Sequence, residues 1–125
     1  MVFELTVELG FSAAHQIEGH PGPCAELHGH NYTAAITVSG ERLNDHAMLL
    51  DFGRLKEICG EVIAPLDHTF LNDLPAFADS NPTAEGLTRH IHRELAARLA
   101  ASHPDLRVAR VTVYESDHSY ATYRE

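Results

Sequence analysis

From Phe3 to Leu9 apolar and polar residues alternate without a break, with Phe3, Leu5, Val7 and Leu9 on one parity and Glu4, Thr6 and Glu8 on the other. Period two over this length marks a strand with one buried face and one wet face. A chain that opens this way must build a sheet and then cover one side of it. The pattern runs past Gly10 into Phe11-Ser12-Ala13-Ala14-His15. A second stretch, from about His28 to Ser39, places Tyr32, Ala34, Ile36 and Val38 on one parity and Thr33, Thr37 and Ser39 on the other. Between the two, Gly19, Pro21, Gly22 and Pro23 exclude regular structure. The expectation is an antiparallel strand pair joined by a loop over residues 16–26.

Two helices supply the cover. Asp51 suits an N-cap, and Phe52, Leu55, Ile58, Val62 and Leu66 recur every three or four residues, which predicts a helix over about 51–64 closed by Pro65. Asn81-Pro82-Thr83-Ala84-Glu85 reads as the start of a second helix, with the polar residue as cap and proline in the first turn. Leu87, Ile91, Leu95 and Leu99 then line one face until His103-Pro104 ends it. Val108 to Glu115 reads as a third strand and Tyr120 to Arg124 as a short fourth. The order β-β-α-α-β-β predicts an α+β fold, a four-stranded antiparallel sheet with two helices on one face. One domain over residues 1–125 fits the length. Such a sheet has two edges to protect, and oligomerisation is one way to do it.

Composition narrows the partners. The net charge is −9 and the nine basic residues are scattered, which argues against nucleic acid. A small anionic substrate remains compatible, because a pocket sets its own field. No run of about 18 apolar residues offers a membrane span. The N-terminus has neither the basic nor the apolar region of a signal peptide. Two cysteines, Cys24 and Cys59, do not make a disulfide framework, so a cytoplasmic setting is expected.

Ten of the 125 residues are histidine, and their placement decides what the excess means. His28-Gly29-His30 puts two imidazoles on one face of a strand. His15, at the end of the paired strand, can supply a third nitrogen. Three neutral imidazoles suit Zn²⁺ and leave one coordination position open, the mark of a catalytic site. Cys24 lies four residues before His28. A thiolate there could act as nucleophile, base or fourth ligand, whereas Cys59, beside Ile58 within a helix, reads as a small buried hydrophobe. In Asp67-His68 the carboxylate can orient the imidazole, though neighbouring residues often point apart. Glu115 shares the parity of Val111 and Val113, and a carboxylate there can accept two parallel N–H bonds, as from an amino-pyrimidine edge. His20, His46, His90, His92, His103 and His118 are expected to be solvated.

Taken together, these residues resemble the family of 6-pyruvoyl- and 6-carboxytetrahydropterin synthases. The matching pieces are Phe11-Ser12-Ala13-Ala14-His15, Cys24-Ala25-Glu26-Leu27-His28-Gly29-His30-Asn31-Tyr32, Met48 to Lys56, Leu66-Asp67-His68-Thr69-Phe70-Leu71-Asn72, Asn81-Pro82-Thr83-Ala84-Glu85, and Val113-Tyr114-Glu115. They run in the family's order over nearly the whole chain. Three residues separate Cys24 from His28, a spacing similar to that of the bacterial 6-carboxytetrahydropterin synthases of the queuosine (7-deazaguanine) pathway. The resemblance implies the T-fold, in which subunits join their sheets into a barrel, and a homo-oligomer, a hexamer built as a dimer of trimers. It implies a pterin triphosphate substrate, 7,8-dihydroneopterin triphosphate, converted to 6-carboxy-5,6,7,8-tetrahydropterin, acetaldehyde and triphosphate. By the same resemblance His15, His28 and His30 hold zinc, Cys24 is the base, His68 with Asp67 relays protons, Glu115 holds the pterin, and Thr83 helps the pterin site. Alternatives are 6-pyruvoyl-tetrahydropterin synthase activity and a non-catalytic zinc- or pterin-binding module. The chain departs from the pattern at Gln16, where a basic residue is common, and at Gly86, where asparagine is common.

Overall fold

The two alternating stretches form the centre of the sheet. The structure, a computed structural model, describes residues 1–125. Strand β1 (Phe3–His15) pairs antiparallel with β2 (His28–Gly40) along its full length, from Phe3 opposite Gly40 to His15 opposite His28. Residues 107–116 form β4, antiparallel to β2 with a register shift at Thr37/Val38. Residues 119–123 form β5, which turns back onto β4. Between them in sequence, β3 (Thr69–Phe70) lies parallel to Ala13–Ala14 of β1. The sheet is therefore five-stranded and mixed, in the order β3-β1-β2-β4-β5, and not the four-stranded antiparallel sheet expected. Two residues carry no periodicity to read. They align because the Ser12 amide donates to the Asp67 carboxylate at 2.9 Å and the His68 amide donates to the Ser12 carbonyl at 2.6 Å, which lays the following residues along β1.

Helix α1 (Phe52–Ile63) starts where its cap residue predicts, with Asp51 accepting from the Gly53 and Arg54 amides. It tightens into a 3₁₀ turn at Ala64–Leu66, where Pro65 stops the α-helical ladder. Helix α2 (Ala84–Ser102) is capped by Thr83, whose hydroxyl accepts from the Gly86 amide at 3.0 Å. The cap is not Asn81, and Pro82 precedes the helix. No helix is long and apolar enough to cross a membrane.

Both helices lie on one face of the sheet, α1 against β1 and α2 against β4 and β5. The core joins Val7, Ile36, Val38, Val111 and Val113 of the sheet to Leu55, Cys59, Leu87, Ile91, Leu95 and Leu99 of the helices. The opposite face carries hydroxyl pairs and charge, such as Thr6–Thr37 and Arg110–Glu4. His92 is a correction to the expectation of solvation. It is buried between α2 and β5, with its ring 5.1 Å from that of Tyr123 and Nδ1 3.1 Å from a Glu125 carboxylate oxygen. The inward stripe of α2 is wide enough to take in Thr88 and His92 as well as the leucines. His90 is half-buried, close to Phe77.

At one end of the sheet the inward parity stops being apolar. On β1 it runs Val7, Leu9, Phe11, Ala13, His15, and on β2 it runs Val38, Ile36, Ala34, Tyr32, His30, His28. Tyr32 and Phe11 stack 4.9 Å apart and close the apolar core beneath the histidines.

Candidate metal centre and adjoining cleft

The antiparallel register brings three histidines together. His15 stands opposite His28, and His30 stands opposite Ala13, one step along the same face. One donor atom from each of the three rings lies within 4.8 Å of the others. The expectation that His28 and His30 share a face with His15 is met in the geometry.

Backbone carbonyls set two of the tautomers. Nδ1–H of His15 donates to the Pro82 carbonyl at 2.7 Å, and Nδ1–H of His28 donates to the Glu26 carbonyl at 2.8 Å. A neutral imidazole that donates through Nδ1 carries a lone pair on Nε2. The Nε2 atoms of His15 and His28 face each other 2.9 Å apart. Two acceptors at that distance repel unless a cation sits beside both. The third ring completes the case, since Nε2 of His30 is buried and has no hydrogen-bond partner. Burial holds the His30 imidazole below the usual histidine range; Glu115 pulls it back, while His15 and His28 add to the lowering. A neutral ring is what a metal ligand must be. Orphaned nitrogen, opposed lone pairs and carbonyl-fixed tautomers together fit a metal held by His15, His28 and His30.

Sequence reasoning did not find the carbonyls of Pro82 and Glu26, because a backbone acceptor has no residue signature. Nor did it find Tyr32, whose hydroxyl lies 3.3 Å from Nδ1 of His15. Burial, and then the Glu115 charge, push that phenol well above its ordinary range, so it stays neutral, and with Nδ1 of His15 already donating to Pro82 its oxygen can only accept from that ring.

Next to the histidines an open cleft of about 320 Å³ is lined by Ile17, His20, Cys24, Thr83, Glu115 and Tyr120, among others. Three of the predicted site residues, Cys24, Thr83 and Glu115, thus share one hollow. A Glu115 carboxylate oxygen is 4.0 Å from Nε2 of His15, which joins the cleft to the histidine cluster. Cys24 is exposed, lies within the short turn of Pro23–Ala25, and is not among the clustered donors. Thr83 faces the same cleft while its hydroxyl caps α2.

Asp67 and His68 do touch, with Nδ1 of His68 3.0 Å from a carboxylate oxygen of Asp67. The Ser12 amide first, and then His68, hold the Asp67 carboxyl below the usual carboxylate range. His68 has φ +57°, a left-handed conformation that a non-glycine residue adopts at a cost, and it projects an exposed imidazole. This pair does not enter the Cys24 cleft. His68 lines a separate hollow of about 420 Å³ with Ser12, Asn31 and Thr69.

The whole chain is similar to known proteins. Residues 4–125 match the family model described as 6-pyruvoyl tetrahydropterin synthase. The 6-carboxy-5,6,7,8-tetrahydropterin synthase of Bacillus subtilis is 36% identical over 98% of this chain and 85% of its own length. A relative from Archaeoglobus fulgidus, provisionally given the same name, is 37% identical over 94% of this chain and 92% of its own. Among solved structures, the 6-pyruvoyl tetrahydropterin synthase of Caenorhabditis elegans superposes with a TM-score of 0.88 at 25% identity, covering 100% of this chain and 96% of that one. With the histidine cluster and its cleft in place, the chain belongs to the 6-pyruvoyl tetrahydropterin synthase family.

Proposed function

We propose that this protein is a zinc-dependent 6-carboxy-5,6,7,8-tetrahydropterin synthase of queuosine (7-deazaguanine) biosynthesis. It would convert 7,8-dihydroneopterin triphosphate and one water to 6-carboxytetrahydropterin, acetaldehyde and triphosphate. The observation that carries the reading is the meeting of Cys24, Thr83 and Glu115 in one cleft that abuts the histidine cluster. Relatives at 36% and 37% identity with that name support it over the 6-pyruvoyl reaction.

Zinc suits three imidazole nitrogens with a position left open, and when bound it supplies Lewis acidity to the hydroxyls of the substrate. Glu115 accepts paired N–H donors from the amino-pyrimidine edge and so fixes the ring. Cys24, as thiolate, removes a proton from a hydroxyl-bearing carbon of the substrate held over the cleft. His68, oriented by Asp67, returns and collects protons. Within one protomer His68 faces a different hollow from Cys24. The pair therefore serves the Cys24 cleft of another copy in a cytoplasmic homo-oligomer, a hexamer on the family's pattern. The edges at β3 and β5 are the ones such an assembly would pair.

The test is incubation of purified protein with dihydroneopterin triphosphate, followed by mass analysis of pterin and small-molecule products. Acetaldehyde and 6-carboxytetrahydropterin are expected. A product that keeps all three carbons of its substituent would establish the 6-pyruvoyl reaction instead. No pterin conversion at all, with zinc bound, would leave a binding module.

A further inference from the structure

Beyond His15 the backbone leaves the sheet, because β2 begins only opposite that residue and β3 ends at Phe70. The backbone of Gln16 to Glu18 must therefore find other partners or stay with water. Two asparagines provide them. Asn72 accepts from the Gln16 amide through Oδ1 at 2.9 Å and donates through Nδ2 to the Gln16 carbonyl at 2.9 Å. Asn81 does the same to Glu18, accepting from its amide at 2.9 Å and donating to its carbonyl at 3.0 Å. A primary amide offers the same donor and acceptor as a peptide group, so each asparagine stands in for one residue of a missing neighbouring strand. Gln16 and Glu18 are two apart and present one edge to the asparagines. Ile17, between them, presents the other edge, and its amide donates to the Cys24 carbonyl at 3.0 Å.

The Asn81 segment also reaches the metal ligands. The next carbonyl, that of Pro82, orients His15, and Thr83 caps α2. Gly86 lets the helix start press close, since a Cβ there would lie 2.9 Å from the Asn81 carbonyl oxygen. One tripeptide thus ties the helix, a metal ligand and the strip of backbone that holds Cys24.

We propose that Asn72 and Asn81 are positioning residues, which hold Gln16–Glu18 as a pseudo-strand and through Ile17 set where Cys24 stands relative to the histidines. Their effect on turnover rests on the reading of Cys24 as the base. Their effect on the loop does not.

Three measurements test it. In the wild-type protein, hydrogen exchange followed by NMR should find the Gln16 and Glu18 amides protected although they lie outside any strand. In Asn72→Ala and Asn81→Ala, zinc stoichiometry should stay at the wild-type value while the iodoacetamide alkylation rate of Cys24 changes by about fivefold or more, as its surroundings loosen. In the same variants kcat should fall by roughly tenfold to a hundredfold, as for a misplaced catalytic group, with KM within about threefold. Asn81→Asp, which keeps the acceptor alone, should recover part of the loss, and Asn44→Ala, which removes a turn contact elsewhere, should change nothing. Exchange at the rate of an unstructured peptide at both amides overturns the proposal, whether or not the variants fold. So do alanine variants with wild-type alkylation and kcat. If the wild-type protein turns over no pterin, the functional reading falls, and exchange with alkylation still decides the clamp.

Discussion

Metal binding at the three histidines should be visible as stability, without any substrate. In the metal-free protein the buried Nε2 of His30 has no partner, and the Nε2 atoms of His15 and His28 oppose each other at 2.9 Å. An unsatisfied buried acceptor costs about 1–3 kcal/mol, and a shared cation removes that cost. Free zinc at a hundred times its dissociation constant stabilises the folded state by about 2.7 kcal/mol. For a protein of 125 residues each kcal/mol moves the melting temperature by roughly 3–5 °C, so the shift should be about 8–14 °C. The assay is differential scanning calorimetry at fixed protein concentration, with chelator or with zinc. His30→Ala should lose nearly all of the shift, because two imidazoles remain where three converged. His118→Ala, an exposed turn residue, should keep it. Magnesium should give none, since it prefers oxygen ligands. The sign with pH follows from His30. Its folded value is depressed by burial, so the unfolded state binds more protons. The contribution of His30 to the metal-free protein is therefore complete above about pH 6.5, the ordinary histidine value, and fades as pH falls through the lower folded value. A chelator-insensitive melting temperature, or a full zinc shift in His30→Ala, would refute the metal centre.

Cys24→Ala should retain zinc, because the sulfur is outside the donor cluster, and should lose on the order of a hundredfold or more in kcat, as removal of a general base does; if its zinc affinity collapses instead, the thiol is a ligand. Native alkylation should label Cys24 alone, since burial pushes the Cys59 thiol up to about 12, and peptide mass mapping checks this. Glu115→Gln removes a charge-assisted pair of contacts worth about 1.5–3 kcal/mol, so pterin binding followed by fluorescence should weaken roughly tenfold to a hundredfold; unchanged affinity would free Glu115 of its role. The Asp67 carboxyl is depressed by the Ser12 amide and His68, so its contribution to stability is present above about pH 3.9, the ordinary aspartate value, and is lost as pH falls through the depressed one. The stability gap between wild type and Asp67→Asn should close on acidification.

What could be read in the sequence was what depends on parity. Alternation along residues 3–15 and 28–40 determined which residues face inward, and histidines placed on the inward parity had to meet once the strands paired in register. The caps at Asp51 and Thr83 use side chains with a local signature, although the proline before Thr83 drew the expected cap two residues too early. What could not be read depends on distant pairing. Strand β3 exists because Asp67 and His68 hydrogen-bond to Ser12, 55 and 56 positions away in the sequence. The burial of His92 depends on where β5 returns, which no helical period encodes. The clamp of Asn72 and Asn81 could not be read either: Asn81 has the local signature of a helix cap and Asn72 has none, and an asparagine that mimics a strand partner shows it only once the distant backbone is in place.

Whether the thiol sits beside the metal or on it can be argued from how each group is held. Three nitrogens converge without Cys24, and two of them are aimed by carbonyls on separate segments, Glu26 just before β2 and Pro82 just before α2. That aim does not need sulfur to complete it. Cys24 is instead tied by its backbone to Ile17, in a strip held by the side chains of Asn72 and Asn81, and it is exposed in the cleft that holds Glu115. A ligand would be held by the metal. A base must be held independently of it, near enough to feel the charge and free to carry a proton. The separate suspension of Cys24 matches the second requirement.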